Sequence, residues 1–213
     1  NTIYQKYSTD TIDTKAPELS IRNTLTEWGV KDILQIEATD DVIGLSGISI
    51  SKEEGIYNWE VIENTLNYET EKEIIENGIY YITVKDAYGH ITTKSIVIDK
   101  IDNELPSIES LSAQAEWGTT NEITGTFVDN ESGLVGYQIT REKEEPTEYI
   151  EIDGANFSFT YTATENGVYY IWVKDKVGNL TQTEIEVNKI DNTAPVLSSI
   201  TNSSNGEWAQ SVT

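Results

Sequence analysis

The chain has 213 residues, a formal net charge of −23, 37% apolar residues, one histidine, and neither cysteine nor methionine. So much negative charge repels polyphosphate and anionic lipid, so neither nucleic-acid binding nor attachment to an anionic membrane surface is expected. Without cysteine there is no disulfide, thiolate chemistry or cysteine-based metal site, and no apolar run is long enough to predict membrane insertion.

The first pattern to emerge is a repeat. ENGIYYITVKDAYGHITTKSIVIDKID (76–102) aligns without a gap to ENGVYYIWVKDKVGNLTQTEIEVNKID (165–191), with 15 of 27 positions identical. The same 89-residue step (165 − 76 = 89) carries Ile12-Asp13 to Ile101-Asp102 and Ile190-Asp191, and Glu27-Trp28-Gly29 to Glu116-Trp117-Gly118. It also carries Pro17 to Pro106 and Pro195. A fixed period of this kind signals a repeat architecture.

Residues 1–11 fall where a preceding unit's last strand would lie. A first unit occupies 12–100, a second 101–189, and a third opens at 190 and breaks off at 213. The expectation is a window cut from a longer array. Each unit is long enough to bury a small core of its own. Amphipathic helical periodicity is missing, and the 12 tyrosines with many Val, Ile and Thr favour strands.

Within the second unit, the strands predicted in chain order are Ser107–Ala113, Glu122–Asp129, Leu134–Arg141, a short Glu148–Ile152, the alternating Phe157–Tyr161, Gly167–Lys174 and Leu180–Val187. The runs DNESG (129–133) and DKVGN (175–179) and the pair Asp153-Gly154 read as turns. About seven short strands at this spacing predict an all-β fold, a β-sandwich in each unit. Period two turns Tyr169, Ile171 and Val173 inward, and Tyr80, Ile82 and Val84 likewise. Glu76-x-Gly78-x-Tyr80 and Glu165-x-Gly167-x-Tyr169 resemble the D-x-G-x-Y run of immunoglobulin-like domains, a resemblance that implies a structural role for Tyr80 and Tyr169, each tying a corner to the backbone.

These elements resemble the Ig-like repeats of bacterial surface proteins, common in Gram-positive anaerobes. The resemblance rests on Glu116-Trp117, D-x-x-S-G-L at 129–134, G-x-Y-Y-x-x-V-K-D-x-x-G-N at 167–179 and I-D-x-x-A-P at 190–195. The first unit departs from it by lacking the serine in Asp40–Leu45 and by carrying His90 in place of Asn179. The resemblance implies tandem immunoglobulin-like β-sandwiches, an extracellular place on a bacterial cell surface or appendage, and neighbouring repeats of the same chain as partners. It implies a non-catalytic stalk or spacer. An adhesin module gripping a glycan or host protein is the alternative. A self-associating fibre subunit, accepting a strand at an open edge, is a third reading.

No catalytic machinery is expected. One histidine and no cysteine leave no repeated nucleophile–base pair, and nothing singles out a carboxylate dyad among 37 acidic residues.

The acidic hinges and turns carry two readings. Asp86 and Asp175 in turns, with Asp102, Asn103, Asp191 and Asn192 at hinges, supply the oxygen ligands that calcium takes. The same residues also cap turns through their own side chains, which is the favoured reading. Asp40-Asp41 and Asp129-Asn130-Glu131 form a second acidic cluster. No other cofactor is expected.

Opposite the inward residues, Tyr170 and Trp172 are read as facing outward, a candidate surface for a glycan or protein ligand, with cover by neighbouring side chains or the adjoining unit as the favoured reading. Trp28, Trp117 and Trp208 recur before the second strand of each unit and are read as structural, lids on a sandwich end or wedges between units. The hinges lack Gly or Ser runs and contain proline, which predicts stiff connections.

Overall fold

Alternating apolar residues on short runs separated by Asp/Asn/Gly turns make strands with one buried face. In the computed structural model, which describes residues 13–199, these runs form fourteen strands, and no helix occurs among the described residues. The first half holds β1 (Glu18–Asn23), β2 (Asp32–Thr39), β3 (Leu45–Ser51), β4 (Glu60–Thr65), β5 (Asn67–Ile74), β6 (Gly78–Asp86) and β7 (Ile91–Ile98). The second holds β8 (Ser107–Ala113), β9 (Asn121–Val128), β10 (Leu134–Thr140), β11 (Ile150–Gly154), β12 (Asn156–Ala163), β13 (Gly167–Asp175) and β14 (Leu180–Val187). The described residues are all-β, and among them no helix is long and apolar enough to cross a membrane.

Four sheets result. In the first half, β1-β2-β5 and β4-β3-β6-β7 enclose one core; in the second, β12-β9-β8 and β11-β10-β13-β14 enclose another. All strand pairs are antiparallel. Strand β2 buries Leu34, Ile36 and Ala38 on one face, and β6 answers with Tyr80, Ile82 and Val84. Full burial of each of the Leu, Ile and Val side chains contributes about 1.5–3 kcal/mol. Both halves interrupt the pairing of their third strand at one place, between Leu45 and Gly47 and between Leu134 and Gly136.

The two cores are filled differently at one cross-strand pair. In the second half Phe159 faces Gly125 and stacks on Phe127 with ring centroids 4.8 Å apart. In the first half the same pairing joins Thr70 to Ile36. The large side chain has changed strands. A β-carbon on Gly125 would lie 2.5 Å from the Phe159 ring and 2.6 Å from the Ser110 carbonyl.

Ile101, read from the sequence as the first residue of the second unit (101–189), packs instead in the first core at 3% exposure. Its backbone is held there by a parallel bridge to Gly29, which extends the first half past β7. Ile190 does the same in the second half through Gly118.

Candidate functional site

The ENG-x-YY runs that begin β6 and β13 hold each half together at its exit. The Tyr80 hydroxyl donates to the Glu76 carbonyl at 2.8 Å, and Tyr169 does the same to Glu165 at 2.8 Å. The Asn77 side chain donates to the Ile101 carbonyl at 2.7 Å and accepts from the Ile101 amide at 2.9 Å. Asn166 repeats this with Ile190 at 2.8 and 2.9 Å. Opposite the asparagine, Gly29 donates to the Lys100 carbonyl at 3.0 Å and accepts from the Asp102 amide at 2.9 Å. The exit strand is thus clamped on both sides.

Asp102 is the pivot. Its amide is bonded into the first half, yet its carboxylate reaches the second: Oδ2 accepts from the Ser132 amide at 3.1 Å and Oδ1 from the Glu104 amide at 3.0 Å. Asn179, in the turn after β13, donates to the Glu104 carbonyl at 2.8 Å and to Asp175 Oδ2 at 2.7 Å. Thr181 on β14 donates to the Pro106 carbonyl. Asp102 itself is fully buried.

Three carboxylates converge beside this pivot. Asp102, Asp129 and Asp175 each offer an oxygen within 4.8 Å of the others, and all three are buried. Asp129 Oδ1 accepts from the Gly133 amide at 2.6 Å, and Asp175 Oδ1 from the Gly178 and Asn179 amides at 2.7 and 2.8 Å. No ion pair among the described residues includes any of the three. Burial pushes the Asp175 carboxyl above its usual range, with the Asp102 charge adding to it against the amides that hold it down. Burial and the Asp102 charge push Glu131 up as well. Like charges at this spacing repel by roughly 3–4 kcal/mol a pair at an effective dielectric of about 20. The Ser132 hydroxyl is buried beside them without a hydrogen-bond partner.

The first half builds the corresponding place differently. Asp13, Asp86 and His90 come together, and His90 Nδ1 lies 2.6 Å from Asp86 Oδ2. Asp13 Oδ2 is buried without a partner there.

The six sequence candidates for calcium therefore divide. Asp102 and Asp175 converge, joined by Asp129, which the sequence placed in a separate acidic cluster. Asp86 sits in the first-half group. Asn103 donates to the Ile75 carbonyl at 3.0 Å, and Asp191 accepts from the Thr193 amide at 2.8 Å. Asn192 is exposed.

No protein-family model matches this chain, and no curated protein matches it significantly.

One aromatic reading resolves as favoured and one needs correction. Trp172 is covered: it is 7% exposed and its indole N–H donates to Thr140 Oγ1 at 3.2 Å. It does lie on the outer face of its sheet, but Gln138 and Gln182 flank it on the adjoining strands and cover it. Tyr170 is half-buried, with the Lys143 ammonium 5.9 Å from its ring. Trp117 is no lid: it is 64% exposed, with Lys189 5.1 Å from its ring. Trp28 is half-buried, and Trp208 lies outside the described residues. What the Glu-Trp-Gly recurrence supplies at the exit clamp is the glycine. The sequence reading also missed Asn77 and Asn166, whose partners lie 24 residues away.

Proposed function

We propose that this chain is a non-catalytic spacer of tandem Ig-like β-sandwiches that projects something from a bacterial surface or appendage. The observation that carries this reading is the double anchoring of Asp102, whose amide is bonded in one half and whose carboxylate is bonded in the other. Backbone fixed on both sides of one residue leaves no free linker between the halves. A flexible tether of Gly and Ser would behave as a coil. Semi-rigid beads in line suit reach and spacing, and the net charge of −23 suits solubility at an outer surface. The adhesin alternative loses its designated residue, because Trp172 is covered.

Small-angle scattering on the whole chain tests this. The spacer reading expects a pair-distance distribution with two maxima, one within a half and one between the centres of neighbouring halves. It also expects a blank glycan array. A single-maximum globular profile, or saturable glycan binding, overturns it.

A further inference from the structure

We propose that Asp102, Asp129 and Asp175 form a divalent-cation site of the calcium class at the junction between the two halves. The site deepens the spacer reading but does not depend on it, because it stands on the carboxylates themselves.

The three side chains come from separate segments: the hinge, the loop after β9 and the end of β13. Each is at least nineteen-twentieths buried, at 0%, 5% and 1% exposure, and none has a lysine or arginine partner among the described residues. Buried charge without a counter-ion is strongly unfavourable, so the group calls for a positive charge. The donors are all oxygen. That set suits a hard cation, which takes six to eight oxygens from carboxylates, carbonyls and water.

An independent observation points the same way. Ser132 is 4% exposed and its hydroxyl has no hydrogen-bond partner. Its amide donates to Asp102 Oδ2 at 3.1 Å, and it lies on the loop that also carries Asp129. A buried hydroxyl left unpartnered is costly. As a neutral oxygen ligand it would be satisfied.

The first half offers an internal comparison. There an imidazole, His90, belongs to the group with Asp13 and Asp86. Nitrogen is a poor calcium ligand, and the first-half group has only two carboxylates where the second half has three. One calcium ion per chain within the described residues is therefore expected, held in the second half.

The experiment is calorimetric titration of the whole chain with calcium chloride near neutral pH, repeated with Asp129→Asn, Ser132→Ala and Asn179→His. The expected result is one saturable site with a dissociation constant of about 10⁻⁴ to 10⁻³ M, the range of extracellular modules. At least tenfold weakening is expected in Asp129→Asn and Asn179→His, with a smaller loss in Ser132→Ala. Each variant is checked for folding by circular dichroism. Absence of saturable binding up to about 10 mM calcium, well above that range, overturns the proposal. Unchanged affinity in all three folded variants overturns it too. A two-maximum scattering profile without calcium binding would sink the site and leave the spacer reading standing.

Discussion

At the residue scale, the most informative comparison is between Asp32 and Asn121, which occupy matching positions 89 apart. Asp32 Oδ1 accepts from the amides of Thr24, Leu25 and Ile33, and Asn23 donates to Oδ2. Burial pushes its carboxyl up, but the Asn23 side chain and these amides outweigh that and hold it below its ordinary value of 3.8. Asn121 makes a neutral pair of bonds with the Gln114 backbone. A depressed folded pKa gives stability that is fully present above the unfolded pKa and is lost as pH falls through the folded one. Acid titration from pH 5 to 2, spanning the ordinary carboxylate range, should weaken the first half through Asp32. Asp32→Asn should flatten that part of the profile while lowering stability at neutral pH by roughly 1–3 kcal/mol. Thermal melts across this range check both. Asn166→Ala should cost about 1–3 kcal/mol in denaturant unfolding, because it leaves the buried exit strand at Ile190 without two bonds. The tyrosine of each ENG-x-YY run was legible in sequence because period two turns it inward. The asparagine beside it was not, because a bond spanning 24 residues leaves no local pattern. Trp172 shows the same limit: alternation assigns a face of the sheet, but not whether Gln138 and Gln182 will roof it.

At the scale of elements, strand order and length follow from the alternation of apolar residues and the Asp/Asn/Gly turns. All seven strands read in residues 107–187 are present, with ends shifted by up to two residues. Packing between strands was less legible. Gly125 looks like a weak point in β9 by strand propensity. The structure explains it by Phe159, whose ring occupies the space a side chain would need. The Ile36–Thr70 pair is the other solution to filling the same volume. Gly125→Ala should therefore destabilise the second half by about 1–3 kcal/mol through overpacking. Combining Gly125→Ile with Phe159→Thr removes the ring contact but not the one with the Ser110 carbonyl, so it should recover only part of the loss. Urea unfolding of the single and double variants measures this coupling. If Gly125→Ala is neutral, the close contact with Phe159 does not matter energetically.

At the scale of the whole molecule, the 89-residue period announced itself in the sequence, and what the hinge lacks is the ground for expecting it to be stiff. The residue that joins the halves was visible only as a recurrent aspartate. Its dual anchoring depends on Gly29 behind it and Ser132 ahead of it, 73 and 30 residues away in sequence (102 − 29 = 73; 132 − 102 = 30). The calcium candidates were only partly legible for the same reason. The turn of one unit meets the hinge that enters that same unit, and Asp129 completes the group from a third segment. Removing the shared anchor with Asp102→Ala should loosen the connection while leaving both cores folded.

The most direct measurement of this account is of residual dipolar couplings for backbone amides in both halves of the intact chain, weakly aligned. The account predicts a single alignment tensor of equal magnitude for residues 18–98 and 107–187, splitting into two unequal tensors in Asp102→Ala. Two unequal tensors in the unmodified chain would contradict a junction fixed by Asp102.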